Sequence, residues 1–172
     1  MDDILELLRE RHSTRAYSGQ LVSDEQLLKI LEAGRLAPSA RNTQPWKLYA
    51  TNKQKLISEL GASFERIGRN LFVGDCGAVV AITEEPLPEG IAMKRRYAEY
   101  DIGMCIMQIC LEAHSIGVAS CILGTYDEAD VKRVFDIPDD RSVAMVICLG
   151  TSAEPEPRPK NRKAVTETFV IR

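Results

Sequence analysis

At 172 residues the chain has room for one domain with a substantial core, and too little for two enzymatic domains joined by a linker. Apolar residues make up 45% and charged residues 27%, and 22 Lys plus Arg against 25 Asp plus Glu leave a net charge of −3, so no general field attracts nucleic acid or an anionic membrane. No run approaches the ~18 apolar residues of a membrane span, and Met1-Asp2-Asp3-Ile4-Leu5-Glu6 is acidic where an export signal is basic, which predicts a cytoplasmic protein.

Residues 2–11 place Ile4, Leu5, Leu7 and Leu8 among charges, a helical pattern closed by the polar cluster Arg11-His12-Ser13-Thr14-Arg15. Ser23 followed by Gln26 is a capping box opening a second helix through Leu27, Leu28, Ile30 and Leu31 towards Gly34. The stretch Pro38-Ser39-Ala40-Arg41-Asn42-Thr43-Gln44-Pro45 cannot continue it, because two prolines and several side chains that bond their own backbone favour an ordered loop. Residues 46–51 alternate as a strand, and Lys53 to Asn70 reads as helix, with Gly61 a candidate break.

Cys76 to Thr83 is a short apolar run suited to a central strand buried on both faces, ended by Pro86, Pro88 and Gly90. The longest helix is expected from about Ala92 to His114, with Ile102 to Leu111 apolar almost all round except for Gln108, so that it must be buried on every side. A turn at Gly117 leads to a strand over 119–123, Asp127 caps a helix through Val131, Val134 and Phe135, and Val143 to Leu149 is a last core strand. Beyond Gly150 the chain is proline-rich and charged through Arg162, and Thr168-Phe169-Val170-Ile171 then reads as a strand, so the tail is expected to dock on another surface. These elements give an α+β sandwich of helices on a mixed or antiparallel sheet, with more apolar surface than a monomer accommodates.

Arg11, Ser13 and Arg15 offer two guanidinium forks and a hydroxyl within five residues, which either grip a phosphate or form a solvated basic helix end. Lys160 and Arg162 alternate in an extended tail, so both either meet one phosphate or remain a charged flexible segment. The loop with Ser39, Asn42 and Gln44 either presents fixed donors and acceptors to a polar heteroaromatic edge or satisfies its own backbone.

Five cysteines without a CxxC, all in apolar stretches, read as buried free thiols. His12 and His114, far apart, give zinc little to build on, and no metal is expected. The dinucleotide GxGxxG, the phosphate-loop GxxxxGK[ST] and the GxSxG nucleophile elbow do not occur.

The order of these elements resembles the nitroreductase family of flavoproteins. The likeness runs from Arg11-His12-Ser13-Thr14-Arg15 through Ala37-Pro38-Ser39-Ala40-x-Asn42-x-Gln44-Pro45-Trp46 and Asp101-Ile102-Gly103 to Pro159-Lys160-Asn161-Arg162, and so covers essentially the whole chain. It implies FMN held by Arg11, His12, Ser13, Arg15, Lys160 and Arg162. It further implies that Pro38, Ser39, Ala40, Asn42 and Gln44 reach the flavin from the other subunit of a homodimer, the tail extending onto the partner. Backbone at Ile122, Leu123 and Gly124 would approach flavin N5, and no side chain would act as catalyst, because the cofactor carries the hydride chemistry. The implied activity is ping-pong electron transfer from NAD(P)H to nitroaromatic, quinone or related acceptors.

The chain departs from longer members in being short between Thr83 and Ala92, in carrying Leu123 where some relatives have an acid, and in its poor match over residues 69–72. Reductive dehalogenation, flavin consumption, a non-catalytic flavin-binding module and plain binding of a phosphate ligand are the competing readings.

Overall fold

The run Ala-Val-Val-Ala-Ile-Thr presents apolar side chains to both faces of a strand, and this puts β2 (Ala78–Glu84) at the centre of the architecture. In the computed structural model, which describes residues 4–91, 96–156 and 159–172, Val79, Val80, Ala81 and Ile82 are all fully buried. β2 pairs with β1 (Trp46–Thr51) on one side and β4 (Ser142–Gly150) on the other, and β3 (Ala119–Leu123) closes the far edge. All three pairings are antiparallel, which resolves the expected mixed or antiparallel sheet in favour of the second.

Alternation along the strands divides the core between the two faces. Ala78, Val80, Ile82, Ile147 and Leu149 pack with residues of α2 (Asp24–Arg35) and α4 (Ala98–Ser115). Val79, Ala81, Val146 and Cys148 pack with α3 (Gln54–Ile67) and α5 (Glu128–Phe135) on the other face. The α+β sandwich is therefore as expected. The capping box forms: Ser23 Oγ accepts the Gln26 N–H at 3.2 Å, and Gln26 Oε1 accepts the Ser23 N–H at 3.1 Å. Asp127 caps α5 by accepting the Asp130 N–H at 3.2 Å.

The first helix is present as α1 (Ile4–Glu10), and residues 1–3 lie outside the described residues. Four expectations need correction. The long helix starts at Ala98 rather than near Ala92: residues 92–95 lie outside the described set, and Arg96 and Tyr97 are not helical. It is also not buried all round. Ile102, Cys105, Ile106, Ile109, Cys110 and Ala113 face the sheet and α2, while Met104 is 39% exposed and Met107, Gln108 and Leu111 are half-buried.

The expected strand at 168–171 is absent: Val165–Thr168 is a short helix, α6, and Val170 and Ile171 lie 77% and 88% exposed beyond it. Glu167 Oε2 accepts the Ala164 N–H at 3.0 Å, a local bond that favours a helical turn over a strand without a sheet partner.

The fourth correction concerns Gly61, which does not break α3. A Cβ on Gly61 would come within 2.7 Å of the Gly74 Cα, in the 3-10 turn Leu71–Asp75 that follows the helix. The glycine is there for close packing of backbone on backbone. Gly61→Ala gains about 1 kcal/mol of helix propensity, but overpacking against backbone that cannot swing aside costs ~1–3 kcal/mol. The urea midpoint should fall with an unchanged m-value. A midpoint that holds or rises would show that the turn yields and that propensity decides.

Candidate functional site

Residues 11–22 leave α1 and cross the end of the sheet as extended backbone. The Thr14 N–H donates to the Ser120 carbonyl of β3, the Ser18 N–H to Thr151 O and the Gly19 N–H to Asp75 O, each at 3.0 Å, and Ala153 N–H donates to Ala16 O at 2.9 Å. The crossing depends on two glycines. A Cβ on Gly77 would lie 2.3 Å from the Gln20 carbonyl oxygen, and one on Gly150 would lie 2.7 Å from Gly77 N and 3.0 Å from Tyr17 Cδ1. Thr14 and Tyr17 are buried, and the Tyr17 hydroxyl donates to Cys148 O at 3.4 Å. Arg15 points outward, and Arg11, His12 and Ser13 are half-buried beside β3.

The tail returns to the same place. Lys160 Nζ donates to the Leu8 carbonyl of α1 at 2.5 Å, which joins the two ends of the chain. Burial, then Arg11, then Arg162 push the Lys160 ammonium below the usual lysine range. Arg11 also acts on the Cys110 thiol, and Arg15 and Arg11 on Cys121, in each case lowering a pKa that burial has raised. Four of the expected cations, Arg11, Arg15, Lys160 and Arg162, thus gather around the end of α1 and the start of β3.

Two groups order the cluster. His12 Nδ1 lies 3.1 Å from the Glu10 carbonyl oxygen, and Nε2 lies 3.3 Å from the Thr14 hydroxyl. Glu154, whose side chain is 8% exposed, accepts the Arg15 N–H at 2.8 Å through Oε1, with Oε2 3.5 Å from His12 Nε2. Sequence reasoning passed over Glu154 as one acid in a proline-rich tail; only the fold shows it fixing the Arg11–Arg15 backbone.

The loop 38–45 forms a 3-10 turn over Ala40–Asn42. Arg41, Asn42 and Gln44 have φ of 53°, 56° and 47°, three non-glycine residues in the left-handed region within four positions. Such conformations cost about 1 kcal/mol or more each and persist only where their surroundings enforce them. Ser39 Oγ accepts the Gln44 N–H at 2.9 Å, the Asn42 N–H donates to Ser39 O at 3.0 Å, and Gln44 Nε2 donates to Asn42 O at 3.2 Å. Asp101 Oδ2 of α4 accepts the Ala40 N–H at 3.1 Å. The loop therefore satisfies much of its own backbone and keeps Asn42 and Gln44 at the surface.

The fold does not bring the loop and the cation cluster together within one chain. The loop is tied to Asp101 near the start of α4, whereas His114 Nε2 near its end lies 3.7 Å from Glu10 Oε2, one residue before Arg11. Thirteen residues of α-helix separate these anchors, roughly 20 Å at the 1.5 Å rise per residue.

Gly124 follows β3 and is exposed; a Cβ there would meet only Met145 Sδ at 3.9 Å, so the protein leaves its outer side open. Asn70 Nδ2 donates to the neighbouring Thr125 carbonyl at 3.2 Å, which gives the poorly matching 69–72 segment a structural place beside Ile122, Leu123 and Gly124. All five cysteines are free and buried, and burial pushes the Cys105 thiol up to about 12. Among the described residues no His, Cys, Asp and Glu group is arranged to hold a metal, and no helix is long and apolar enough to cross a membrane.

Comparison with known proteins gives a consistent answer. The profile described as the Nitroreductase family matches residues 8–71 and 64–151. The oxygen-insensitive NADPH nitroreductase of Helicobacter acinonychis is 28% identical, covering 92% of this chain and 91% of that one. A nitroreductase family protein from Streptococcus pneumoniae superposes with a TM-score of 0.81 at 22% identity, over 99% of this chain and 100% of that one. An FMN-dependent nitroreductase from Clostridium difficile gives 0.79 at 21% identity, over 97% and 98%. The profile spans well over half of the chain, and this chain therefore belongs to the nitroreductase family of oxidoreductases.

Proposed function

We propose that the chain, a single domain, is an FMN-dependent oxidoreductase acting as a homodimer in the cytoplasm, passing electrons from NAD(P)H to nitroaromatic, quinone or related acceptors. The observation that carries this reading is the bond from the Lys160 ammonium in the tail to the Leu8 carbonyl, three residues before Arg11, where burial first and then Arg11 and Arg162 hold it below the usual lysine range. Mutual repulsion of that kind is relieved by a dianion, and a phosphate monoester fits the donor set.

FMN, when bound, supplies the hydride chemistry, accepting electrons from the donor and passing them on in ping-pong order. Arg11, Lys160 and Arg162 hold the phosphate. His12 and Ser13 bond the ribityl and pyrimidine edge, and Arg15 places a fixed positive charge there. Ile122, Leu123 and Gly124 offer backbone on the open side of β3, and no protein nucleophile is called on.

Pro38, Ser39, Ala40, Asn42 and Gln44 complete the site from the second subunit. The roughly 20 Å between the loop and the cluster supports this arrangement. So does the outer face of α4, where Ile4, Leu7, Ala33, Leu36 and Leu111 line a groove of about 290 Å³ and Gln108 Oε1 is buried with no hydrogen-bond partner among the described residues. Two copies of α4 packed antiparallel about a two-fold axis cover that face and bring each loop to the other chain's cations.

Charge-assisted hydrogen bonds contribute about 1.5–3 kcal/mol each, so Arg11→Ala and Lys160→Ala should each weaken FMN binding roughly 10- to 150-fold in a fluorescence titration. Wild-type protein with FMN should be yellow and bleach anaerobically with NADH or NADPH. A protein that never binds FMN contradicts the proposal. Arg15→Ala should shift the bound flavin's midpoint potential to more negative values by more than it changes affinity, measured by reductive titration against a reference dye.

The ligand-free protein carries its own test. Lys160 has a folded pKa below its unfolded value, so below the usual lysine range the unfolded chain holds its proton more tightly, and stability rises as pH climbs through the interval between the two values. Inorganic phosphate should remove this penalty and raise Tm, by the equivalent of about 2.7 kcal/mol at a hundredfold excess over Kd. The increment should shrink in Lys160→Ala. An equal rise with chloride at matched ionic strength would show general screening instead.

A further inference from the structure

Asp101 stands out among the acids of the chain. It is 3% exposed, in the first turn of α4, and its carboxylate receives a single backbone N–H from another element, that of Ala40. Ala40 opens the 3-10 turn, and the three left-handed residues follow within four positions. The loop folds upon itself through bonds from Ser39 Oγ to Gln44 N–H and from Thr43 Oγ1 to Ala40 O at 3.0 Å, and its far end is held by the Glu85 N–H donating to Pro45 O at 3.1 Å. The Asp101 bond ties its first turn to α4, which is held in the core by Ile102, Cys105, Ile106 and Ile109.

We propose that Asp101 is a positioning residue that presets the 38–44 loop for the FMN held by the partner subunit. One rigid helix then carries both the face that associates and the tether of the loop that completes the neighbouring site, so association and site geometry are set together. Asp101 touches no cofactor on this account; it acts through Ala40. The inference rests on the shared-site reading given above. Its physical content is narrow: an acceptor at the Asp101 position is needed, whereas a full negative charge is not.

Two substitutions delete the bond from opposite ends. Asp101→Ala removes the acceptor. Ala40→Pro removes the donor at a half-buried position, at the start of a helical turn and after Ser39, whose φ of −145° and ψ of 156° suit the residue before a proline. Asp101→Asn keeps an oxygen that accepts the same N–H. Each full-length variant is compared with wild type, first without flavin for the rate of tryptic cleavage after Arg41, and then for FMN affinity, with Tm and dimer mass recorded.

Asp101→Ala and Ala40→Pro should both be cut after Arg41 about tenfold faster and bind FMN about tenfold more weakly, as intact dimers, while Asp101→Asn stays within threefold of wild type on both readouts. Should Asp101→Ala fail to fold, Ala40→Pro and Asp101→Asn decide the matter alone. Wild-type protection of Arg41 in Ala40→Pro, or loss of protection in a folded Asp101→Asn, would overturn the proposal whatever FMN does. A wild-type protein that binds no FMN, with the cleavage differences intact, would overturn the cofactor reading and leave the tether standing.

Discussion

The 18 residues of α4 are the constraint from which the rest of the structure follows. One side of this helix supplies Ile102, Cys105, Ile106 and Ile109 to the core shared with α2 and the sheet. Its length then separates the two sets of polar groups that the sequence marks as candidates, with the loop tethered near Asp101 at one end and Arg11 following Glu10, which pairs with His114, at the other. A rigid rod of roughly 27 Å cannot be shortened by side-chain rearrangement. On the proposed reading, a site that uses both sets draws one of them from a second copy, and the apolar outer face of the same helix is the surface on which that copy would pack.

Charge is distributed to match. The chain as a whole is mildly acidic, yet Arg11, Arg15, Lys160 and Arg162 gather where the ends of the chain meet. Burial first, and then Arg11 and Arg162, depress the Lys160 ammonium, and the fold supplies backbone and carboxylate partners: Leu8 O for Lys160, Ser13 O for Arg15 at 3.3 Å, and Glu154 for the Arg15 N–H and His12. Free buried thiols, the burial that raises Cys105 and Cys110, and the scarcity of histidine leave little nucleophilic chemistry to the protein itself. That division suits a family in which the cofactor reacts and the protein positions it.

Much of this was legible from residues alone, and the failures have physical causes. The apolar run of β2, the Ser23 and Gln26 box and the Asp127 cap depend on local periodicity and local hydrogen bonds, so they read correctly. Gly61 misled because a glycine in a helical pattern looks the same whether it breaks a helix or lets Gly74 approach. The 168–171 segment misled because β-branched and aromatic residues signal a strand only where a sheet edge is available. Burial around α4 was overread, since an apolar helix indicates that its surface is to be covered without indicating by which chain. Neither Asp101, a landmark of the resemblance, nor Glu154 was assigned a role: an acid in the first turn of a helix and an acid among prolines are both commonplace, and the backbone N–H groups they hold are 61 and 139 residues away.

The shared site is tested most directly by a mixed dimer, assembled from one subunit carrying Lys160→Ala and one carrying Ser39→Ala with Asn42→Ala, isolated by two affinity tags. If the loop acts across the interface, both defects fall in one site and the other is built entirely of intact residues, so the mixed dimer binds one FMN with wild-type affinity. If each site is instead made within one chain, both sites carry a defect and no FMN binds with wild-type affinity, a result that would contradict the account.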